Sequence, residues 1–162
     1  MTSQRAEPRV TRKNNDDGTH VQLEQQFEFL PGVLWKHLTD AEKLKYWFPC
    51  TIELTPRANT EVTFSGPDQR PAKGKVLEAQ KPSLLAYTWD REVLRWEIAR
   101  DGDGSVLRLT VTVAETHQVS STAAGWHLTL MGLDDLLHHR DLGQNPALWQ
   151  QYLQRYREEL GH

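Results

Sequence analysis

The sequence predicts an α+β domain in which a curved antiparallel sheet of about seven strands wraps around one long helix near the C-terminus. Three observations predict this class. From Cys50 to about Glu115 the chain alternates between apolar and polar residues and is divided by short turns, as in an antiparallel meander. Two short helical segments separate this region from a first strand. A long apolar stripe at helical spacing follows the meander and can cover its apolar face.

Length, charge and cysteine content limit the class of protein. A chain of 162 residues suits one domain, and 38% hydrophobic with 25% charged residues is the composition of a globular protein. The net charge of -3 gives no electrostatic footprint for nucleic acid. No apolar run reaches the roughly 20 residues that span a bilayer. Because the N-terminus lacks a secretion signal and Cys50 is the single cysteine, we expect a cytoplasmic protein without disulfides or membrane association.

The first part of the chain predicts a tail followed by a strand. Residues 1–18 are polar and aperiodic and end in the turn-forming cluster "NNDDG", so we expect a loose N-terminal tail. A single domain is expected over residues 19–160. It begins with "HVQLEQQFEF", in which polar residues alternate with an apolar set on one face of a half-buried strand: Val21, Leu23, Phe27 and Phe29.

The segment "LPGVLWKHLTDAEKLKYWFP" changes to a helical period and predicts two short helices. Pro31 suits the first turn of one helix. Thr39 is followed three residues later by Glu42, the spacing of a capping box, so a second helix is expected to start there. Pro49 ends it.

The region after Cys50 predicts about six strands joined by turns such as "DRE" and "DGDG". The last strand, "SVLRLTVTVAE", alternates strictly. Alternation places successive side chains on opposite faces of a sheet. We therefore predict that one set faces the long helix and the other faces solvent: Leu107, Leu109, Val111 and Val113 inside, and Arg108, Thr110 and Thr112 outside.

The long helix is expected from about Ser120 to Leu142 and carries two stripes about 100° apart. The stripe of Trp126, Leu130, Leu133 and Leu137 is typical of a core face. The stripe of His127, Met131, Asp134 and His138 admits a metal or catalytic face or a solvated polar flank. His127 and His138 would lie about 16 Å apart along the axis, too far to share one ion. We therefore predict no metal, and a weak Asp134–His138 pair instead. A second amphipathic helix is expected over residues 146–160.

Two stretches resemble a known family. "VLWKHLTDAEKLKYWF", at 33–48, is similar to a signature of a tryptophan, Leu-Thr-Asp and Trp-Phe. "GWHLTLMGLDDLL", at 125–137, is similar to a Gly-Trp followed by leucines at helical spacing. The chain thus resembles the START-like helix-grip (SRPBCC) superfamily and, within it, bacterial homologues of the activator of heat-shock-protein-90 ATPase. The resemblance implies a helix-grip fold that commonly binds an apolar small molecule between sheet and helix. The chaperone activators carry an additional N-terminal domain, so we do not expect chaperone activation from this chain.

The candidate ligand-binding residues are mostly aromatic, because an apolar pocket needs aromatic walls and a few polar handles. They are Trp35, Trp47, Phe64, Tyr87, Trp89, Trp96, Trp126, His127, Leu130 and Met131. Met131 is expected at the boundary between cleft and solvent. The same residues are equally compatible with a filled core.

The function expected from these residues is binding without catalysis. No acid, base and nucleophile converge in the sequence, so no catalytic residue and no cofactor are predicted. The expected partner is an apolar small molecule, with a protein client as a further possibility and a monomer or weak homodimer as the assembly. The alternatives are a cyclase- or hydrolase-like enzyme that uses the same cleft, and a protein-interaction or co-chaperone module.

Overall fold

A computed structural model describes residues 7–16, 18–67, 69–140 and 146–161. It contains strands and helices in an α+β arrangement. The strands are β1 (Arg9–Asn15), β2 (Gly18–Phe27), β3 (Thr51–Glu53), β4 (Glu61–Gly66), β5 (Gln69–Gln80), β6 (Leu84–Trp89), β7 (Glu92–Asp101) and β8 (Gly104–Val113). The helices are α1 (Pro31–Thr39), α2 (Ala41–Trp47), α3 (Val119–Leu137) and α4 (Pro146–Leu160), with a 3-10 turn at Thr116–Gln118 before α3.

The strands form one antiparallel sheet in the order β1-β2-β8-β7-β6-β5-β4-β3. The helices α1 and α2 connect β2 to β3, as the sequence predicts. The side chain of Asp40 accepts a hydrogen bond from the backbone N–H of Glu42 at 3.0 Å, so Asp40 caps α2 one residue later than the predicted Thr39. This architecture confirms the predicted α+β helix-grip class, with eight strands rather than about seven.

The additional strand, β1, lies in the segment predicted to be a loose tail, and that prediction is wrong for residues 9–15. This strand pairs with β2 along its whole length, from Arg9 opposite Glu24 to Asn15 opposite Gly18. The polar sequence of β1 gives no alternating pattern that would predict a strand. An edge strand is held mainly by backbone hydrogen bonds and needs no continuous apolar face. Arg12 adds a side-chain hydrogen bond from Nη1 to the carbonyl oxygen of Leu160, at 3.1 Å.

The alternation predicted for the last strand is confirmed in β8. The four side chains predicted to face inward are buried in the core that also contains the apolar residues of α3: Leu107, Leu109, Val111 and Val113. On the outer face, the Arg108 guanidinium lies 2.9 Å from the Glu24 carboxylate of the neighbouring strand. Thr110 and Thr112 share that face and are part-exposed. The strict period of two therefore fixed both faces of this strand.

The long helix α3 has the predicted core stripe but a shorter span. Trp126, Leu130, Leu133 and Leu137 are all buried in the core, as predicted. The helix ends at Leu137, since His139 adopts a left-handed backbone with a φ of 56°. Residues 141–142 of the predicted span lie outside the described residues.

The second stripe of α3 is not a solvated flank. His127 is 0%, Met131 6% and Asp134 1% exposed, and His138 alone of the four is part-exposed. The helix α4 packs against α3 and covers His127 through Tyr152 and Tyr156. The solvated-flank interpretation is therefore wrong for three of the four residues, and at His127 the reason is that α4 covers a side that the sequence pattern alone left open.

Candidate functional site

An aromatic cluster fills the middle of the space between sheet and α3. The rings of Phe64 and Trp89 stack with centroids 4.4 Å apart and planes 5° apart, and Phe48 stacks on Trp89 at 5.7 Å. Trp126 of α3 meets Phe48 and Trp96 edge-on, at 5.7 Å each. Offset-stacked and edge-on contacts are the favoured geometries of aromatic pairs. The centre of the grip is therefore packed with side chains.

Several predicted ligand-binding residues use their polar atoms within the protein. Trp96 donates from Nε1 to the hydroxyl of Tyr87 at 3.1 Å, in a buried bond. Burial raises the pKa of Tyr87 well above its ordinary value, so the phenol stays neutral. Trp47 donates from Nε1 to the carbonyl oxygen of His37 at 3.0 Å. These groups stabilise the core and have little capacity left for a ligand.

Open space begins where the cluster reaches one end of the sheet. A cleft of about 720 Å³ lies there, between the β6–β7 turn, the end of β8 and the first half of α3. Its apolar wall consists of Pro49, Trp89, Ala114 and Trp126. Trp89 and Trp126 thus belong to both the cluster and the cleft. A volume of this size is typical of small-molecule sites, which occupy about 300–1,000 Å³.

The α3 side of the cleft is lined by small and polar residues. They are Ser121, Thr122, Gly125 and Thr129, at positions i, i+1, i+4 and i+8 of the helix. The hydroxyl of Ser121 donates to Gln118 O at 3.0 Å, and that of Thr129 donates to Gly125 O at 2.8 Å. Because these side chains are short, they leave room beside the tryptophans. This stripe was not predicted, although its small residues recur at helical spacing beside the core stripe, on the side away from His127.

The rim of the cleft carries charged side chains from the β6–β7 turn and from the end of β8. Arg91 Nη1 lies 3.5 Å from Glu115 Oε1, and His117 Nδ1 lies 3.8 Å from Glu115 Oε2. Glu92 is half-buried in the same cleft. Burial raises the pKa of the Glu92 carboxyl, a hydrogen bond with the backbone of Ala114 opposes this, and the nearby charge of Asp90 raises it further. Glu92 was not predicted as a site residue, since the sequence pattern does not show that the carboxylate at the start of β7 borders a cleft.

The structure divides the predicted ligand-binding residues into three groups. Trp89 and Trp126 line the cleft. Six others are buried in the core: Trp35, Trp47, Phe64, Tyr87, Trp96 and Leu130. His127 lies against α4, and Met131, which was expected at the boundary between cleft and solvent, is instead buried and outside the cleft lining. The cleft is therefore shifted toward the start of α3 from the position that the sequence indicated.

His127 forms a buried polar contact with α4. Its Nδ1 lies 2.6 Å from the hydroxyl of Tyr156, and its ring stacks on Tyr152 at 3.9 Å. Burial, with the positive charge of Arg155, lowers the pKa of His127 from 6.5 to about 4. Burial likewise raises the pKa of Tyr156 to about 12. Both groups are neutral near pH 7, and their contact joins two helices outside the lining of the cleft.

Asp134 and His138 form the predicted pair as part of a larger contact at the end of α3. Asp134 Oδ1 lies 3.3 Å from His138 Nδ1, while its Oδ2 accepts from Arg140 Nη1 at 2.9 Å. Arg140 also lies 3.3 Å from Asp135. Within the described residues, no three His, Cys, Asp or Glu side chains are grouped so that they could hold a metal ion. One carboxylate oxygen of Asp134 is therefore hydrogen-bonded to Arg140, while His138 Nδ1 is hydrogen-bonded to the backbone carbonyl of Asp134.

In the part of the chain that the structure describes, no helix is long and apolar enough to cross a bilayer.

Comparison with known proteins identifies a family. The sequence profile described as "Activator of Hsp90 ATPase homolog 1-like protein" matches residues 28–138, which is more than half of the chain. Among curated proteins, none matches this chain in sequence.

Solved structures share the fold over most of the chain. CalU16 from Micromonospora echinospora has a TM-score of 0.74 at 18% identity, with 96% of this chain and 98% of that chain covered. A conserved protein of unknown function from Enterococcus faecalis has a TM-score of 0.77 at 21% identity, with 94% and 90% covered. The Aha1 dimer from Colwellia psychrerythraea has a TM-score of 0.64 at 15% identity, with 73% and 95% covered. Identities this low establish a common fold only.

Proposed function

This chain belongs to the activator of Hsp90 ATPase homolog 1-like family, and we propose that it is a non-enzymatic helix-grip protein that binds an apolar small molecule in the cleft beside Trp89 and Trp126. The main support for the proposal is the cleft itself. It combines about 720 Å³ of open space with two tryptophans that the core holds in place. Rigid aromatic walls bind apolar surface with little loss of side-chain freedom.

The position of the cleft supports binding at one end of the grip, outside the aromatic cluster. Phe64 and Phe48 pack against Trp89, so that a ligand does not need to displace core side chains. Thr129 and Gly125 leave space on the helix side. A preformed site of this kind binds without the energetic cost of reorganising a core.

Uptake of the neutral apolar dye Nile red tests the proposal. We expect the wild-type protein to bind the dye with enhanced fluorescence. Thr129→Trp places an indole inside the cleft and should weaken binding by about tenfold, equivalent to roughly 1.4 kcal/mol. Thr110→Trp, which adds the same side chain on the outer sheet face, should leave dye binding unchanged.

Circular dichroism and thermal unfolding of both variants show whether the folds remain intact. Native mass spectrometry of freshly purified wild-type protein provides a second readout, since a retained small molecule adds a discrete mass. If the wild type takes up no dye and carries no added mass, the cleft is not a ligand site, and a protein-interaction module becomes the better interpretation. Equal dye binding by both tryptophan variants and the wild type would place the dye elsewhere.

A further inference from the structure

The charged groups around the cleft are unequally paired. Glu115 has two partners, Arg91 at 3.5 Å and His117 at 3.8 Å. Glu92 has none of this kind: among the described residues, no Lys, Arg or His nitrogen lies within 4.0 Å of its carboxylate. The charge that acts most directly on Glu92 is the neighbouring Asp90, which has the same sign.

Glu92 is also partly withdrawn from water. It is half-buried at the start of β7 and lines the cleft on the side of Ala114, with which it forms a hydrogen bond through the backbone. Removing a carboxylate from water without a counter-charge is unfavourable. Such a group in a cavity favours an occupant that brings the missing positive charge.

The other residues that line the cleft indicate the chemistry of the rest of the ligand. Beside these charged groups, the cleft has an apolar wall of Pro49, Trp89, Ala114 and Trp126. A molecule that satisfies both the wall and Glu92 has an apolar body and a charged group at one end. An anionic end would lie near Asp90 and Glu92, and the Arg91 guanidinium that could attract it is already paired with Glu115.

We propose that Glu92 determines the specificity of this cleft, and that the cleft selects amphipathic molecules whose apolar part contacts Trp89 and Trp126 and whose protonated amine pairs with Glu92. This inference rests on the proposed function, because it assigns a ligand class to the same cleft. The ammonium group would donate hydrogen bonds to the Glu92 carboxylate, and charge-assisted bonds of this kind are stronger than neutral ones.

Three probes of nearly equal size and different charge test the inference: 2-naphthylmethylamine, 2-naphthalenemethanol and 2-naphthoate. Titration calorimetry measures the Kd of each for the wild-type protein. We expect the amine to bind about tenfold more tightly than the alcohol, as hydrogen bonds to charged groups allow, and the carboxylate to bind most weakly. This ranking needs no substitution, so it holds whatever the stability of the variants.

Two variants with the same change of charge test whether Glu92 causes the preference for the amine. Glu92→Gln should weaken binding of the amine until its Kd equals that of the alcohol, and the Kd of the alcohol should not change. Glu61→Gln makes the same change on β4, away from the cleft, and should preserve the preference for the amine.

The outcomes separate the two proposals. If Nile red and the alcohol bind but the amine has no advantage, the cleft is a ligand site and the role of Glu92 is refuted. An amine preference that survives in Glu92→Gln refutes that role as well. If neither Nile red nor any naphthyl probe binds, the proposed function fails and this inference fails with it.

Discussion

The two buried sides of α3 are built differently. The side facing the sheet is apolar: Leu130 and Leu133 are fully buried beside Trp126, within the aromatic and aliphatic core. The other buried side carries His127, which α4 covers, and Asp134, whose oxygens are directed to Arg140 and His138. One side is held by apolar burial and the other partly by hydrogen bonds whose strength depends on protonation and on a complete set of partners. Helix burial therefore does not require an apolar stripe.

The largest expected effect is on the sheet-facing side. Leu133→Ala should lower the free energy of unfolding by about 2–5 kcal/mol, because it removes buried methyl groups and leaves a cavity. Leu136→Ala, three residues further along and only part-buried, is the matched control and should cost less. Urea unfolding measures both. Equal losses would show that full burial on the sheet-facing side adds no stability over partial burial beside it, contrary to the comparison.

The second largest expected effect is a loss of stability at low pH, caused by His127 on the side of α3 that faces α4. The pKa of His127 falls from 6.5 to about 4 on folding, so the unfolded chain binds the proton more tightly. Its contribution to stability is complete above pH 6.5 and is lost as the pH falls toward 4, by about 3 kcal/mol in all.

Urea unfolding at a series of pH values compares the wild type with His127→Gln. His37, whose pKa is also lowered mainly by burial, is present in both proteins, so the difference between them isolates His127. The variant should show a smaller decline between pH 6.5 and 4. Parallel pH profiles would mean that His127 titrates normally and that α4 does not shield it.

The smallest effect is expected at the end of α3. Arg140→Ala should cost about 1–2 kcal/mol, since it leaves the buried Asp134 carboxylate without a partner that donates at 2.9 Å. The arginine side chain is 35% exposed, and solvent screening keeps the effect modest. Arg157→Ala, on the exposed surface of α4, is the control. Thermal unfolding measures both variants, and adding Asp134→Asn to Arg140→Ala should recover part of the loss. If Arg140→Ala is as stable as Arg157→Ala, the contact between Arg140 and Asp134 contributes little to stability.

Regular patterns predicted the elements well, while irregular positions were missed. The alternation in β8 and the core stripe of α3 were both read correctly, because each element must present an apolar side to the core. Strand β1 was missed, since an edge strand needs little apolar surface. Glu92 and Thr129 were missed for a related reason: the sequence does not distinguish a carboxylate at a strand end or a helical threonine that contacts water from one that lines a cleft.

The sequence by itself determined the class of fold and the sheet-facing side of α3. Periodicity is a local property, and apolar residues at the period of a strand or helix define which side must be buried. The tertiary structure decided the rest. His127 and Tyr156 meet across 29 residues of chain, and Trp89 and Trp126 border the same open cleft from a strand and a helix. The position of the cleft and the pKa of a buried group depend on distances between residues far apart in sequence, which only the packing of complete elements establishes.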